Sequence, residues 1–405
     1  MEGSTQNVSP TRPKLQGYDF YREVLGSPKY VVAPMVDQSE LAWRTLSRRY
    51  GAQLAYTPMI NAKMYANNKR NGYHRPLIIQ FCANDPEQLL ASAKALEAHC
   101  DAVDINLGCP QDIAKRGHYG SFLQDEWDLI YKLINTLHTN LSVPVTAKCR
   151  VFPSLEKTVE YAKMLERAGA QIITCHGRTR EQRGHNTGLA DWAKIRAVKQ
   201  AVSVPVFANG NILTHADIAR CLAETGADAV MSAEGQLYNP ALFVPSPSSP
   251  SGGLHPRHAD LALEYLDIVS RHKTPTPPSG IKGHLFKLLR PALAREIDLR
   301  DALGRLRGPD LAPYYDVVRE MKRRMDRDAE AEETATEGGF LHWVAQPYVR
   351  PLPVENETHV EEPPATVAKR PHSGRTPDPE DDDEVKRVRH GDVGQMLAPA
   401  TALVA

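Results

Sequence analysis

The sequence has no excess of either charge, since 49 Lys and Arg stand against 49 Asp and Glu in 405 residues. A surface that binds a polyanion must therefore be local. No stretch approaches the roughly 20 apolar residues of a membrane-spanning helix. The first residues, MEGSTQNVSPTRPKLQG, hold no apolar segment of the signal-peptide kind. Cysteine is sparse and scattered: Cys82, Cys100, Cys109, Cys149, Cys175 and Cys221 occur singly, with no CxxC pair. Neither a disulfide framework nor a metal site is expected. These absences predict a soluble, reduced, cytoplasmic protein, without membrane or metal partners and monomeric. No repeat is evident beyond an alternation of strand and helix patterns.

That alternation is what the chain does have. Eight short β-branched or apolar runs read as strands: Tyr30–Ala33, Gln53–Tyr56, Leu77–Phe81, Ala102–Ile105, Val143–Ala147, Gln171–Thr174, Pro205–Phe207 and Ala229–Met231. Between most of them lie segments such as PEQLLASAKALEAH, LEKTVEYAKMLERAGA and HADIARCLAETGA, with apolar residues at i, i+3, i+4 and i+7. The link between the second and third runs, NAKMYANNKRNGYH, is weaker. Gly51, Gly169 and Gly226 stand where left-handed helix ends are needed. Eight βα units predict a (β/α)₈ TIM barrel, and the absence of GxGxxG after the first strand argues against an open dinucleotide-binding sheet.

Composition sets the boundaries. Residues 1–17 read as a flexible N-terminus and 18–244 as the barrel. PSPSSPSGG makes 245–254 a linker, and 255–327 reads as a small all-helical domain. Between Arg257 and Met325 there are 14 Lys and Arg against 9 Asp and Glu, a net of +5, so the local basic surface is expected there. From 328 to 405 large apolar residues are few, and a disordered tail is expected. Its Lys369-Arg370 and Lys386–Arg389 clusters resemble a two-part nuclear import signal.

In a parallel barrel the working groups stand at the C-terminal ends of the strands. Those ends carry Ala33-Pro34-Met35-Val36, Gln80, Asn106 with Gly108-Cys109-Pro110-Gln111, Lys148 with Arg150, His176-Gly177-Arg178, Asn209-Gly210-Asn211 and Ala233-Glu234-Gly235. A lone Gln such as Gln80 is most simply a satisfied core polar group. Lys148 needs an anion or a polarised carbonyl, and it suits either a Schiff base or a cation beside a cofactor. The loops holding Asn209–Asn211 and Ala233-Glu234 sit where barrels commonly bind phosphate. Cys109 stands in a strand-to-loop turn, unlike the other five cysteines, which lie in apolar patterns. An ordinary thiol titrates near 8.5, so a cysteine there could donate a proton or attack as a thiolate.

With these residues in place, the chain resembles the tRNA-dihydrouridine synthases. The resemblance rests on APMVDQSELAWR (33–44), DINLGCPQDIAKRGHYGSFL (104–123), TAKCR (146–150), CHGRTREQRG (175–184) and ANGNI (208–212). The form GCPQ-x-IA-x-x-G-x-x-G-x-FL together with KGHLFK (282–287) is similar to the subgroup that modifies positions 16 and 17 of the tRNA D-loop. The resemblance implies FMN across the barrel mouth, NADPH or NADH as reductant, hydride transfer to C6 of an extruded uracil and protonation of C5 by Cys109. It implies that Pro34, Met35, Val36 and Gln80 contact the flavin, that Lys148 stabilises its anionic reduced form, that His176 faces it, and that Asn209, Gly210, Asn211, Ala233 and Glu234 cradle its phosphate. Asn106 and Arg178 would meet the uracil and the RNA, with Lys282, Lys287 and Arg323 on tRNA phosphates. Bacterial members carry Gly-Arg where this chain has Glu234-Gly235. An acid there repels a phosphate unless the side chain turns away or another cation compensates. Two other functions share part of the pattern: an FMN-barrel reductase of a free pyrimidine, which needs no basic helical domain, and a non-catalytic RNA-binding barrel, which needs neither Cys109 nor Lys148.

Overall fold

All eight runs form strands, and in the computed structural model they close into a cylinder. The structure describes residues 14–65, 75–249, 251–331 and 339–350. The strands are β1 (Tyr30–Val32), β2 (Leu54–Tyr56), β3 (Leu77–Cys82), β4 (Ala102–Leu107), β5 (Val145–Arg150), β6 (Ala170–His176), β7 (Val206–Asn209) and β8 (Ala229–Ser232). Each pairs in parallel with the next, and β1 also pairs with β8 through Tyr30–Val230, Val31–Met231 and Val32–Ser232, which closes the barrel. A two-residue strand, Ile60–Asn61, adds beside the end of β3. Strands β3 to β8 run one to three residues further than the apolar runs, because the barrel keeps pairing its polar ends: Lys148, Arg150, His176 and Asn209 lie within strands.

The interior is graded along the barrel axis. Its N-terminal half is filled by Val31, Leu54, Ile78, Ala102, Ile172, Phe207, Ala229 and Met231, closed from below by Phe20 and Tyr21. The C-terminal half is polar, with buried Gln80, Asp104, Thr146, Thr174 and Asn209. The chain before β1 is the plug of this floor. Lys14 Nζ donates to the carbonyls of His138 and Leu141, and Gly17 N–H donates to Gln171 Oε1. The expected flexible N-terminus therefore differs over its last few residues, while 1–13 lie outside the described residues.

Helices α1 (Leu41–Arg49), α2 (Pro86–Lys94), α3 (Trp127–Asn140), α4 (Leu155–Ala168), α5 (Trp192–Ala201) and α6 (His215–Thr225) surround the strands. Asp85, Ser154 and Thr214 cap three of them, Thr214 in a reciprocal capping box with Asp217. The expected glycine at the end of α4 is required twice. Gly169 has φ +115°, and a Cβ there would fall 2.4 Å from the His138 ring.

The Pro/Ser/Gly segment after the barrel is a built turn. Pro245 bridges Gly253, Ser246 N–H donates to the Gly252 carbonyl, and Ala216 N–H donates to the Ser251 carbonyl. Beyond it α7 (His258–Arg271), α8 (Pro278–Leu288), α9 (Ile297–Arg305) and α10 (Ala312–Glu330) form a helical lobe. Its core is continuous with α1, because Ala42, Trp43 and Leu46 belong to the same apolar cluster as Leu266, Leu285, Tyr314 and Met321. Polar bonds pin the join: Glu40 accepts from Trp43 N–H, Tyr265 OH and His284 Nε2, and the His284 ring stacks on Trp43 at 3.9 Å.

The largest departure concerns the expected tail. Residues 340–350 return along the lobe with His342, Trp343 and Ala345 buried. Arg257 bridges Val344, and Ala345 N–H donates to the Pro256 carbonyl. Three large or tightly fitted residues with distant partners suffice to order this stretch. The rest of the expected tail, 351–405 with its basic clusters, lies outside the described residues, as does most of the weak link after β2 (66–74). Among the described residues no helix is long and apolar enough to cross a membrane.

Candidate functional site

A cleft of about 700 Å³ opens over the polar end of the barrel. Its wall takes Pro34 and Met35 from the loop after β1, Lys148 and Arg150 from β5, and His176 and Arg178 from the end of β6. Asn209–Asn211 and Ala233–Gly235 follow from the loops after β7 and β8, and Tyr348–Arg350 come from the C-terminal segment. Ten expected site residues thus converge here: Pro34, Met35, Lys148, His176, Arg178, Asn209, Gly210, Asn211, Ala233 and Glu234. Val36, Gln80, Asn106 and Cys109 are not part of this wall. Val36 is exposed at the rim. A second cavity of about 670 Å³ lies against Arg290, Arg295 and Arg300 in the helical lobe and holds none of the expected residues.

The cleft is electropositive and buried at its base. Lys148 Nζ donates to Asn209 Oδ1 at 2.9 Å, and Asn209 Nδ2 donates to the Met231 carbonyl. Burial, with Arg150 beside it, lowers Lys148 to about 8, although Asp104 pulls the other way. Asp104 is pushed up to about 6 by burial, against donors from Thr146 and Gln80 and the charge of Lys148. His176 is held well below its usual value by burial and by Arg150, Lys148 and Arg178, so it is neutral. Arg178 Nη1 lies 3.1 Å from His176 Nε2. An arginine can only donate, which assigns the imidazole proton to Nδ1. The remaining Arg178 donors hold the loop at Thr187 and Gly188 and meet Asn211 Oδ1 at 2.6 Å. Arg178 is therefore a wall residue of the cleft, tied down rather than reaching outward.

Gly210 has φ +111°, and a Cβ there would meet Ala190 at 2.7 Å and the His176 ring at 3.0 Å. A Cβ on Gly235 would fall 2.4 Å from the Ile212 carbonyl oxygen. Packing alone requires both.

Cys109 sits just past β4 in a turn fixed on both sides. Asn106 Oδ1 accepts the N–H groups of Gly108 and Cys109 at 3.1 and 2.9 Å. The Cys109 carbonyl accepts from Ser121 N–H and Oγ–H at 3.1 and 3.0 Å. Gly120 lets this happen, since a Cβ there would fall 2.7 Å from the Cys109 oxygen. Behind the turn a buried relay runs into the barrel. Asn106 Nδ2 donates to Gln80 Oε1, Gln80 Nε2 donates to Asp104 Oδ2, and Thr146 donates to Asp104 Oδ1. Gln80 and Asn106 are thus bonded to each other at the polar end of the barrel. Arg150 Nε donates to the Gly108 carbonyl at 2.8 Å, which places a cation beside the same turn.

The expected RNA contacts look different. Lys322, Arg323 and Arg324 pair with Asp260, Glu320, Glu296 and Asp298, so this run is locally neutralised. Lys282 and Lys287 each make one bond, to the carbonyls of Gly304 and Gly283.

Sequence reasoning missed Asp104, Tyr348 and Arg350. Asp104 was readable as an acid inside a strand flanked by apolar residues. Arg350 had no local signal. It pairs with Glu234 at 2.6 and 2.8 Å, across 116 residues of chain.

Comparison with known proteins gives a consistent result. The model of the dihydrouridine synthase (Dus) family matches residues 31–285. A Mus musculus tRNA-dihydrouridine(16/17) synthase [NAD(P)(+)]-like protein is 51% identical over 357 residues, covering 85% of this chain and 73% of its own length. The tRNA-dihydrouridine(16/17) synthase [NAD(P)(+)] of Schizosaccharomyces pombe is 48% identical over 370 residues, 84% of this chain and 92% of its own. A Homo sapiens tRNA-dihydrouridine(20a/20b) synthase [NAD(P)+]-like protein is 38% identical over 224 residues, 53% of this chain and 70% of its own.

Proposed function

The chain belongs to the dihydrouridine synthase family, and on that premise we propose that it reduces uridines 16 and 17 of the tRNA D-loop to 5,6-dihydrouridine, with FMN in the barrel cleft and NADPH or NADH as reductant. The higher identity to relatives named for positions 16 and 17 than to one named for 20a and 20b supports the choice of site.

The observation that carries the proposal is a cysteine turn bonded at both ends beside a cleft that holds a buried cation. The cleft suits a flavin nucleotide. Its volume falls in the range of about 300 to 1,000 Å³ typical of cofactor sites, and Lys148, buried with one bonded partner, calls for an anion. Pro34 and Met35 offer an apolar wall, with Val36 at its edge. Lys148 and His176 would hold the ring, with Gln80 behind, and Asn209–Asn211 with Ala233 and Glu234 would lie at the phosphate.

The chemistry that FMN held here and recharged by the nicotinamide would supply is a hydride for C6 of the uracil, and Cys109 Sγ would give its proton to C5. Asn106 and Ser121 fix the backbone from which that thiol projects, so its approach is set before the base arrives. Lys148 presents positive charge where negative charge gathers. The neutral His176 keeps its Nδ1 proton as a donor rather than adding a fourth full cation to Lys148, Arg150 and Arg178. Extracting a stacked base costs a few kcal/mol, which Lys282 and Lys287 would offset through the RNA backbone, Arg323 joining them only by giving up Glu320, making the barrel the chemical domain and the helical lobe the RNA-binding one.

The first test is the chromophore. Purified full-length protein, denatured and filtered, should release stoichiometric FMN, and a colourless preparation that takes up no flavin contradicts the proposal.

A further inference from the structure

Glu234 sets an electrostatic problem at the pole of the cleft assigned above to phosphate. A carboxylate within a few ångströms of a phosphate dianion repels it strongly in a half-buried site. The structure holds an answer in a segment beyond the stretch matched by the family model, residues 31–285. Arg350 Nε and Nη2 form a two-pronged pair with the Glu234 carboxylate, and both residues line the cleft.

The pair does not exist to hold the segment in place. Its side chains are 46% and 32% exposed, so it is a weak pair that a stronger anion can exchange. The anchoring lies upstream. Trp343 and Ala345 are buried, His255 Nδ1 donates to the Ala345 carbonyl, and His258 N–H donates to the Trp343 carbonyl. Tyr348 is then gripped between Arg290, 4.1 Å over its ring, and Tyr238, at 5.2 Å. Arg350 follows two residues later and is thereby delivered to the cleft mouth. Its neighbour Arg178 has its donors on Thr187, Gly188, Asn211 and His176. A planar guanidinium that grips a carboxylate with two parallel bonds can grip a phosphate in the same way.

We propose that Arg350 is a phosphate-binding residue for the flavin nucleotide, its guanidinium exchanging the Glu234 carboxylate for the phosphate. The C-terminal segment is on this account part of the cofactor site and makes the cleft selective for a phosphorylated flavin. The proposal rests on the flavin assignment of the preceding section.

The test titrates flavin-stripped full-length protein with FMN and with riboflavin, following flavin fluorescence. In R350A the affinity for FMN should fall about tenfold, the scale of one charge-assisted contact, while riboflavin affinity stays within about twofold. R350K, which keeps the charge but not the fork, should fall between. E234Q removes the competing carboxylate and should bind FMN at least as tightly as the wild type. Equal losses for both flavins in R350A, an unchanged FMN affinity, or an E234Q loss as large as that of R350A overturns the proposal and leaves the flavin assignment standing. A wild-type protein that binds neither flavin overturns both. Melting temperatures of the variants separate loss of contact from loss of fold, and a collapsed R350A melt with R350K normal in both melt and binding counts against a contact specific to the fork.

Discussion

Asn106 Oδ1 accepts the backbone N–H of Cys109 at 2.9 Å, so the turn that carries Cys109 is tied to the last residues of β4. Asn106→Ala removes that acceptor and the Gln80 contact together. It should leave flavin binding intact and slow dihydrouridine formation by about tenfold, the usual consequence of a misplaced catalytic group being of that order or larger. Single-turnover rates of tRNA reduction check this, and an unchanged rate would mean that Ser121 and Gly120 alone set the geometry.

Cys109→Ala should retain bound FMN and NADPH oxidation but lose about a hundredfold or more in product, the range spanned by general acids. Mass spectrometry of tRNA digests reads the outcome. Undiminished dihydrouridine would exclude this thiol as the acid.

Lys148 gives a pH signature. Burial lowers it to about 8, so the cation is present below that pH and lost as pH rises through it. Turnover should decline on the alkaline side with an apparent pKa near 8, and Lys148→Met should be slow at every pH without that limb. The linked stability runs the other way. A lysine depressed in the fold stabilises it above its ordinary value near 10.4 and loses that contribution as pH falls through about 8. Lys148→Met should therefore melt higher than the wild type at neutral pH, and the gap should narrow in alkali. An alkaline limb that persists in the variant assigns it to another group.

Glu40 joins the two lobes. Burial pushes its carboxyl up, but His284 and Tyr265 outweigh this and hold it below the usual range. Its contribution is present above the ordinary glutamate value near 4.3 and lost as pH falls below it. Glu40→Ala strands His284 and Tyr265 and should cost about 1 to 3 kcal/mol in urea unfolding. It should weaken tRNA more than FMN, and equal weakening of both would deny Glu40 a role in setting the lobe.

Lys287 and Lys282 each have one backbone partner, whereas Arg323 lies in a bidentate pair with Glu320. Neutralising either lysine should flatten the salt dependence of tRNA binding by about 0.7 to 0.9 in log–log slope, and unchanged slopes would place the RNA on another face.

The barrel was legible because each strand carries its own signal, a run of β-branched or apolar residues between glycine-ended helices, and closure needed only a count of eight. The strand ends were not, because polar residues such as Lys148 and His176 continue pairing only inside a closed barrel. Of the cleft, Lys148, His176 and Asn209–Asn211 were readable from their places after apolar runs. Gln80 and Asn106 were readable as polar but not as links in a relay, since their bonds run between strands. The charge count of the helical lobe gave a net excess without its location, and the carboxylates facing Lys322–Arg324 lie up to 62 residues away in sequence, as Asp260 does. Composition misjudged residues 339–350, where Trp343 and Ala345 are buried in the same apolar cluster as Leu266, Leu285 and Tyr314 of the helical lobe.

The central claim is tested most directly by incubating the purified chain with NADPH, FMN and tRNA that lacks dihydrouridine, and mapping the product by nucleotide position. Dihydrouridine at positions 16 and 17, absent with Cys109→Ala, is the predicted result. No dihydrouridine, or modification confined to other positions, contradicts it.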